Sequence, residues 1–278
     1  MMIEKRIFTF WEPRKNIPAY LELCIKTWYK FLPDYEIIIL DYKTVDEWLG
    51  MNYFDKSLYK DFSLPMQADA IRCAILRKYG GIWLDTDTIM TSFKVKELLE
   101  KECEFFLINH HIGFIKARPE AKLLILWEQQ ILKNIQEKKT FQRLLNNFGI
   151  FGFILKIFCR KTYKKTKKWD FLGNGIINQL IDKKFANTKH FESVDRSFVK
   201  CFPETGYKEI LKRGNAAENY RKFYFENDFS EEFLADKNHG GMVMLHNSWT
   251  PDKYKKMSEK EFLAQDITLS NMLKSILK

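Results

Sequence analysis

The stretch from Ser63 to Met90, SLPMQADAIRCAILRKYGGIWLDTDTIM, constrains the fold more than any other part of the chain. Pro65 suits a first helical turn, where a missing N–H costs nothing. Apolar residues at Ala68, Ile71, Ile75 and Leu76, with Cys73 and Ala74 between them, predict a helix largely covered by other chain. Gly80-Gly81 ends it, because a left-handed cap is cheap only without a Cβ. Ile82-Trp83-Leu84 then reads as a buried strand. Asp85 and Asp87 follow, two residues apart, and would project from one side of an extended chain. Two acids converging at a strand end suit a hard cation, Mg²⁺ or Mn²⁺.

A bare D-x-D is most often just the start of a turn. Here it follows a helix that carries Asp69 and Arg72, three apart and so on one face. The surrounding residues are apolar enough to bury that pair, and buried charges are seldom incidental. The context favours a working site over a plain turn.

The run A-D-A-I-R-x₇-G-G-I-W-L-D-T-D, Ala68 to Asp87, resembles the core of sugar-nucleotide-dependent glycosyltransferases with a D-x-D motif. The nearest resemblance is to the capsular polysaccharide synthesis and glycosyltransferase family 32 proteins, and it is similar to the core of the clostridial glucosylating toxins. The typical pattern there is S-D-x-x-R-x-x-x-L-x-x-x-G-G-x-Y-L-D-x-D. This chain keeps Asp69, Arg72, both glycines and both acids, and departs with Ala68 for Ser and Trp83 for Tyr.

The resemblance implies an α/β, GT-A-like (Rossmann-like) mixed sheet flanked by helices. It implies one nucleotide-sugar-binding domain over 1–278, with C-terminal helical additions, a donor-binding half at 1–110 and an acceptor-side half at 111–278. The implied site has Asp69, Arg72, Asp85 and Asp87 as the catalytic set, with Asp69, Arg72, Trp83, Asp85 and Thr86 against the nucleotide sugar. Thr9, Phe10 and Trp11 would hold the donor base, and Asn109 the donor. His246 would join Asp85 and Asp87 on Mn²⁺ or Mg²⁺, with Ser248 and Trp249 at the diphosphate. The donor would be a UDP-sugar in preference to a GDP-sugar, and transfer would retain configuration.

The chain has 278 residues, 46% of them hydrophobic and 24 of them Phe, enough for a sizeable core and against disorder. Five scattered cysteines with no C-x-x-C suggest a reducing compartment, without disulfides or zinc. No apolar run is long enough to span a bilayer and no signal peptide opens the sequence, which points to the cytoplasm. The net charge of +10 asks for an anionic partner or a membrane, unless it merely aids solubility. No helix-turn-helix, zinc-finger or RNP-type pattern is present, so nucleic acid ranks low.

Arg6 to Trp11 reads as a strand, Tyr20 to Phe31 as a helix buried along one face, and Tyr35 to Leu40 as a second strand. That βαβ unit favours an α/β sheet with ligands at the carboxyl ends of its strands. Phe105 to Ile108 reads as another strand, Ala121 to Leu132 as a helix, and Tyr220 to Phe225 as strand-like. Asp170 to Ile177 carries Gly173 and Gly175, whose tight backbone suits a donor or acceptor loop. Gly240 to Leu245 reads as a strand ahead of His246-Asn-Ser-Trp249. Ser258-x-x-Glu261 is a capping box opening the last amphipathic helix.

Residues 148–168 change character, from FGIFGFILKIF to CRKTYKKTKKW, which has six cations and no acid. A core helix with a solvated basic loop is the plain alternative. An interfacial anchor on the cytoplasmic face of the inner membrane is the functional one, with apolar side chains in lipid and cations on anionic headgroups. A lipid-linked saccharide acceptor for surface polysaccharide (capsule, O-antigen or lipooligosaccharide) would need such a surface.

Two rivals remain. Asp85-Thr-Asp-Thr88 also fits the D-x-D-x-T pattern of phosphohydrolases, whose first Asp attacks phosphorus. That class places its motif near the N-terminus and leaves Asp69 and Arg72 without a task. The other rival is a non-catalytic basic membrane-binding module.

Overall fold

The computed structural model describes residues 5–108, 111–147, 166, 168, 170–185, 188, 191–194, 215–235 and 241–278. The architecture is mixed α/β. Its strands are β1 (Arg6–Phe10), β2 (Glu36–Leu40), β3 (Gly81–Leu84), β4 (Thr88–Met90), β5 (Phe105–Ile108), β6 (His111–Ala117), β7 (Glu192–Val194) and β8 (Met242–Met244). The helices up to the middle of the chain are α1 (Ala19–Phe31), α2 (Tyr42–Leu49), α3 (Ser57–Asp61), α4 (Leu64–Tyr79), α5 (Val95–Leu99) and α6 (Lys122–Asn147). After them come α7 (Asn174–Leu180), α8 (Ala216–Arg221), α9 (Ser230–Ala235), α10 (Asp252–Lys255), α11 (Glu259–Leu263) and α12 (Thr268–Leu277). No described helix is long and apolar enough to cross a membrane.

The chain divides into two compact units that interleave along the sequence. One is built mainly from Leu40–Trp83 and Cys103–Ser193, the other from Lys5–Ile39, Leu84–Glu102 and Val194–Lys278.

In the first unit β3, β6, β5 and β7 are neighbours in that order. Strands β5 and β6 are antiparallel, with Phe105 opposite Ala117 and a register shift between Leu107 and Ile108. Helix α4 packs on α6. Its start and stop follow the sequence: Pro65 lies in the first turn and Gly80 caps the end at φ +67°. A Cβ on Gly80 would lie 2.5 Å from Pro119 Cδ, so both backbone angle and space require glycine there. Ten of the sixteen α4 residues are buried, Asp69 and Arg72 among them.

The second unit places β2 beside β1 and pairs β4 with β8 antiparallel, Thr88 opposite Met244 and Met90 opposite Met242. Helix α1 covers β4. Its Trp28 indole donates to the Thr88 carbonyl at 2.6 Å, and its Thr27 hydroxyl accepts from the Met90 N–H at 2.8 Å. Tyr20, Leu23, Cys24, Thr27, Trp28 and Phe31, the face expected from periodicity, are all buried.

Several elements differ from expectation. Helix α6 runs beyond Leu132 to Asn147, because Asn134, Ile135 and Phe141 continue its buried stripe. Tyr220 to Phe225 is helical, α8 passing into a π turn over Lys222–Glu226. A strand would send alternate rings to opposite faces, whereas all of Tyr220, Phe223, Tyr224 and Phe225 are buried here. Phe223 stacks on Phe229 and Phe225 lies against Tyr254. The Ser258–Glu261 capping box is present in both directions, but it opens the short α11, and α12 starts afresh at Thr268. The apolar and basic segment 148–168 lies almost wholly outside the described residues.

Candidate functional site

In the first unit, α4 supplies Asp69 and Arg72, 6% and 4% exposed, with Arg72 Nη1 3.6 Å from Asp69 Oδ1. Their three-residue spacing puts them on one helical face. The guanidinium also donates to the Ile112 carbonyl of β6 at 2.5 Å and lies 4.9 Å from the centre of the buried Trp83 ring. It is therefore fixed by a carboxylate, a carbonyl and an aromatic face at once. Trp83, expected beside a nucleotide sugar, serves this unit as the platform under Arg72.

The loop before α7 closes on Asp69. A Cβ on Gly173 would lie 2.1 Å from Asp69 Oδ2 and 2.8 Å from Ile112 Cδ1, so the carboxylate packs against bare backbone. Asn174 Oδ1 accepts from the Ile112 N–H at 3.2 Å. Helix α6 holds this loop rigid: Trp127 Nε1 donates to the Leu172 carbonyl at 2.7 Å, and Asn134 Nδ2 to the Phe171 carbonyl at 2.8 Å. Sequence reasoning gave the loop a loose role. No spacing rule announces that residue 173 must be small because residue 69 is charged.

In the second unit Asp85-Thr86-Asp87 is a turn, closed by the Thr88 N–H on the Asp85 carbonyl at 3.1 Å. The two acids thus do not share the side of an extended strand. Thr86 is buried between them, while both carboxylates are partly exposed. Asp87 is clamped by the segment after β8: its carbonyl accepts from the Leu245 N–H at 2.9 Å, and its Oδ2 from the Asn247 N–H at 2.8 Å. The D-x-D and the H-N-S-W segments, noted separately in sequence, are one structure here.

His246 lies tilted on the Trp249 ring, centroids 4.0 Å apart, with Tyr220 edge-on to both. Ser248 is exposed, and Trp249 half-buried. Beneath them are two buried tyrosines. The Tyr20 hydroxyl donates to Asn247 Oδ1 at 2.5 Å, and the Tyr220 oxygen accepts from the His246 N–H at 3.2 Å. Burial lifts both phenols well above the ordinary tyrosine range, and the negative charge of Asp87 pushes the same way, so both stay protonated.

Among the described residues no three His, Cys, Asp or Glu side chains are grouped so as to hold a metal ion. Asp85, Asp87 and His246 therefore do not form a ready triad. Two partly exposed carboxylates, one fixed by a backbone N–H, still suit a divalent cation that takes its other oxygens from a diphosphate and water. The donor set is hard, and the residues fit such an ion.

Thr9 and Phe10 are buried in β1, and Thr9 Oγ1 has no hydrogen-bond partner among the described residues. Trp11, just past the strand, is half-buried. Asn109 lies outside the described residues.

Three comparisons bear on these observations. No curated protein matches the chain. Among solved structures it is similar to the PaToxG glycosyltransferase, at 16% identity and a TM-score of 0.45, over 66% of this chain and 70% of that one. It is also similar to the glycosyltransferase GlyE of Streptococcus pneumoniae TIGR4 in its apo form, at 11% identity and a TM-score of 0.41. That match covers 98% of this chain and 62% of GlyE, so the chain spans less than two thirds of that relative. The family described as "Capsular polysaccharide synthesis protein" matches residues 1–151, more than half of the sequence. The chain belongs to the capsular polysaccharide synthesis protein family.

Proposed function

We propose that the chain is a metal-dependent glycosyltransferase of GT-A-like fold, moving a sugar from a UDP-sugar donor to a saccharide acceptor in surface polysaccharide synthesis. The observation that carries the proposal is the D-x-D turn, with Asp87 Oδ2 fixed by the Asn247 N–H at 2.8 Å. Family membership and the buried Asp69–Arg72 pair support it.

In this reading Asp85 and Asp87 hold Mn²⁺ or Mg²⁺ at the donor diphosphate. When bound, the cation supplies Lewis-acid neutralisation of the charge that grows on the leaving group. Ser248 and Trp249 contact the diphosphate, and Trp11 stacks on the base. Asp69 and Arg72 bind sugar hydroxyls and fix the anomeric carbon towards the acceptor. Their burial keeps water from competing for those hydrogen bonds. The bond from the anomeric carbon to the phosphate oxygen breaks with its electron pair on the diphosphate. The acceptor oxygen forms the new bond on the same face, and its proton passes to the departing diphosphate. Configuration is retained. The basic run within 148–168 is the proposed contact with anionic membrane carrying a lipid-linked acceptor, on sequence grounds alone.

Product analysis separates this from the phosphohydrolase reading. Incubation with UDP-sugars and Mn²⁺ is expected to release UDP and free sugar slowly, with no inorganic phosphate from p-nitrophenyl phosphate. Phosphate release from the simple ester, with nucleotide sugars untouched, would reverse the assignment.

A further inference from the structure

We propose that Tyr20 is a positioning residue for the metal-binding carboxylate Asp87, acting through Asn247. The inference rests on the assignment of Asp85 and Asp87 to a divalent cation, and it goes beyond that assignment to what holds one of them in place.

The geometry is a two-step relay within the second unit. Tyr20, on α1, is 0% exposed, and its hydroxyl donates to Asn247 Oδ1 at 2.5 Å. The backbone N–H of the same Asn247 donates to Asp87 Oδ2 at 2.8 Å. One residue therefore takes a hydrogen bond at its side chain and passes one on from its main chain. The first contact ties the Asn247 side chain to a rigid element, because α1 is itself clamped to β4 by Trp28 and Thr27. Asn247 opens a single turn of 3₁₀ helix, Asn247–Trp249, whose backbone is also held by the Trp249 N–H on the His246 carbonyl at 2.9 Å, the Thr250 N–H on the Asn247 carbonyl at 3.2 Å and Arg221 Nε on the Trp249 carbonyl at 3.0 Å. Tying its side chain to a buried phenol fixes the direction of the N–H on Asp87.

The consequence is chemical as well as steric. An N–H on one carboxylate oxygen takes up one of its lone pairs and restricts how the carboxylate could turn towards a cation. Partners that orient a ligand in this way commonly change metal affinity roughly 10- to 100-fold when removed. The neighbouring Tyr220 offers an internal control. It is equally buried, and its hydroxyl meets the His246 N–H and Thr250.

The test measures Mn²⁺ binding by the full chain in the presence of UDP, from the electron paramagnetic resonance signal of free Mn²⁺, well below the melting temperature. Tyr20→Phe keeps the ring and its packing, and is expected to weaken Mn²⁺ binding roughly 10-fold. Asn247→Ala should do the same, and the double variant should be no worse than either single one, since both cut the same relay. Tyr220→Phe should leave Mn²⁺ affinity within about twofold of the parent while lowering the melting temperature comparably. Equal Mn²⁺ affinity in Tyr20→Phe and the parent would overturn the inference and leave the metal assignment standing, as would equal losses in both tyrosine variants. No Mn²⁺ binding by the parent protein would overturn both.

Discussion

Asp85→Asn and Asp87→Asn are each expected to abolish sugar transfer while leaving the melting temperature of the metal-free protein unchanged. Losing a Lewis acid at a leaving diphosphate forfeits several kcal/mol of transition-state stabilisation, roughly a thousandfold or more in rate. Stability should hold because both side chains are partly exposed and the substitution removes one of two neighbouring like charges. In Asp87→Asn the amide oxygen can still accept from the Asn247 N–H, so the turn keeps its anchor. Chelation with EDTA should reproduce either variant in the parent protein. Initial-rate measurements of UDP release, with melting curves alongside, decide it; parental rates in EDTA would remove the cation from the mechanism.

The second large effect falls on Arg72. Arg72→Ala leaves Asp69 buried without the guanidinium and removes the cation from the Trp83 face. Breaking a buried pair from one side costs about 3–5 kcal/mol. Transfer should be lost as well, so the single variant cannot separate structure from function. The double variant Asp69→Asn/Arg72→Met separates them. Replacing both charges by groups of similar volume should restore most of the stability, because desolvation of the pair is no longer required. Transfer should stay absent, since neither replacement can hold sugar hydroxyls with a charged hydrogen bond. Denaturant unfolding and transfer assays on the same samples read the two effects. Activity returning together with stability in the double variant would make the pair a structural brace only.

The sequence was most legible where local chemistry decides the backbone. Pro65, the apolar stripe of α4 and Gly80 mark a helix whose cap only glycine fits, since φ is +67° and Pro119 stands against it. The buried face of α1 follows equally from a 3.6-residue period. Reading failed where packing overrides propensity. The aromatic run Tyr220 to Phe225 has strand-forming side chains, yet it is helical because every ring finds a buried partner around one axis. Asp85 and Asp87 were recognisable as a pair, but their turn geometry depends on the Thr88 hydrogen bond and on β8, contributed by residues far along the chain. Tyr20 shows the limit most clearly. Its burial is written in the helix period, whereas its hydroxyl meets a residue 227 positions away, a separation no local pattern encodes.

The central claim, that the chain binds a nucleotide sugar through a cation on its D-x-D turn, is tested most directly by melting curves of the parent protein. These would be recorded with a panel of UDP- and GDP-sugars, each with Mn²⁺ and with EDTA. A true donor at about 100 times its dissociation constant should stabilise the fold by roughly 2.7 kcal/mol. The account predicts that shift for at least one UDP-sugar in Mn²⁺ and its loss in EDTA. Equal shifts in Mn²⁺ and EDTA, or none with any nucleotide sugar, would contradict it.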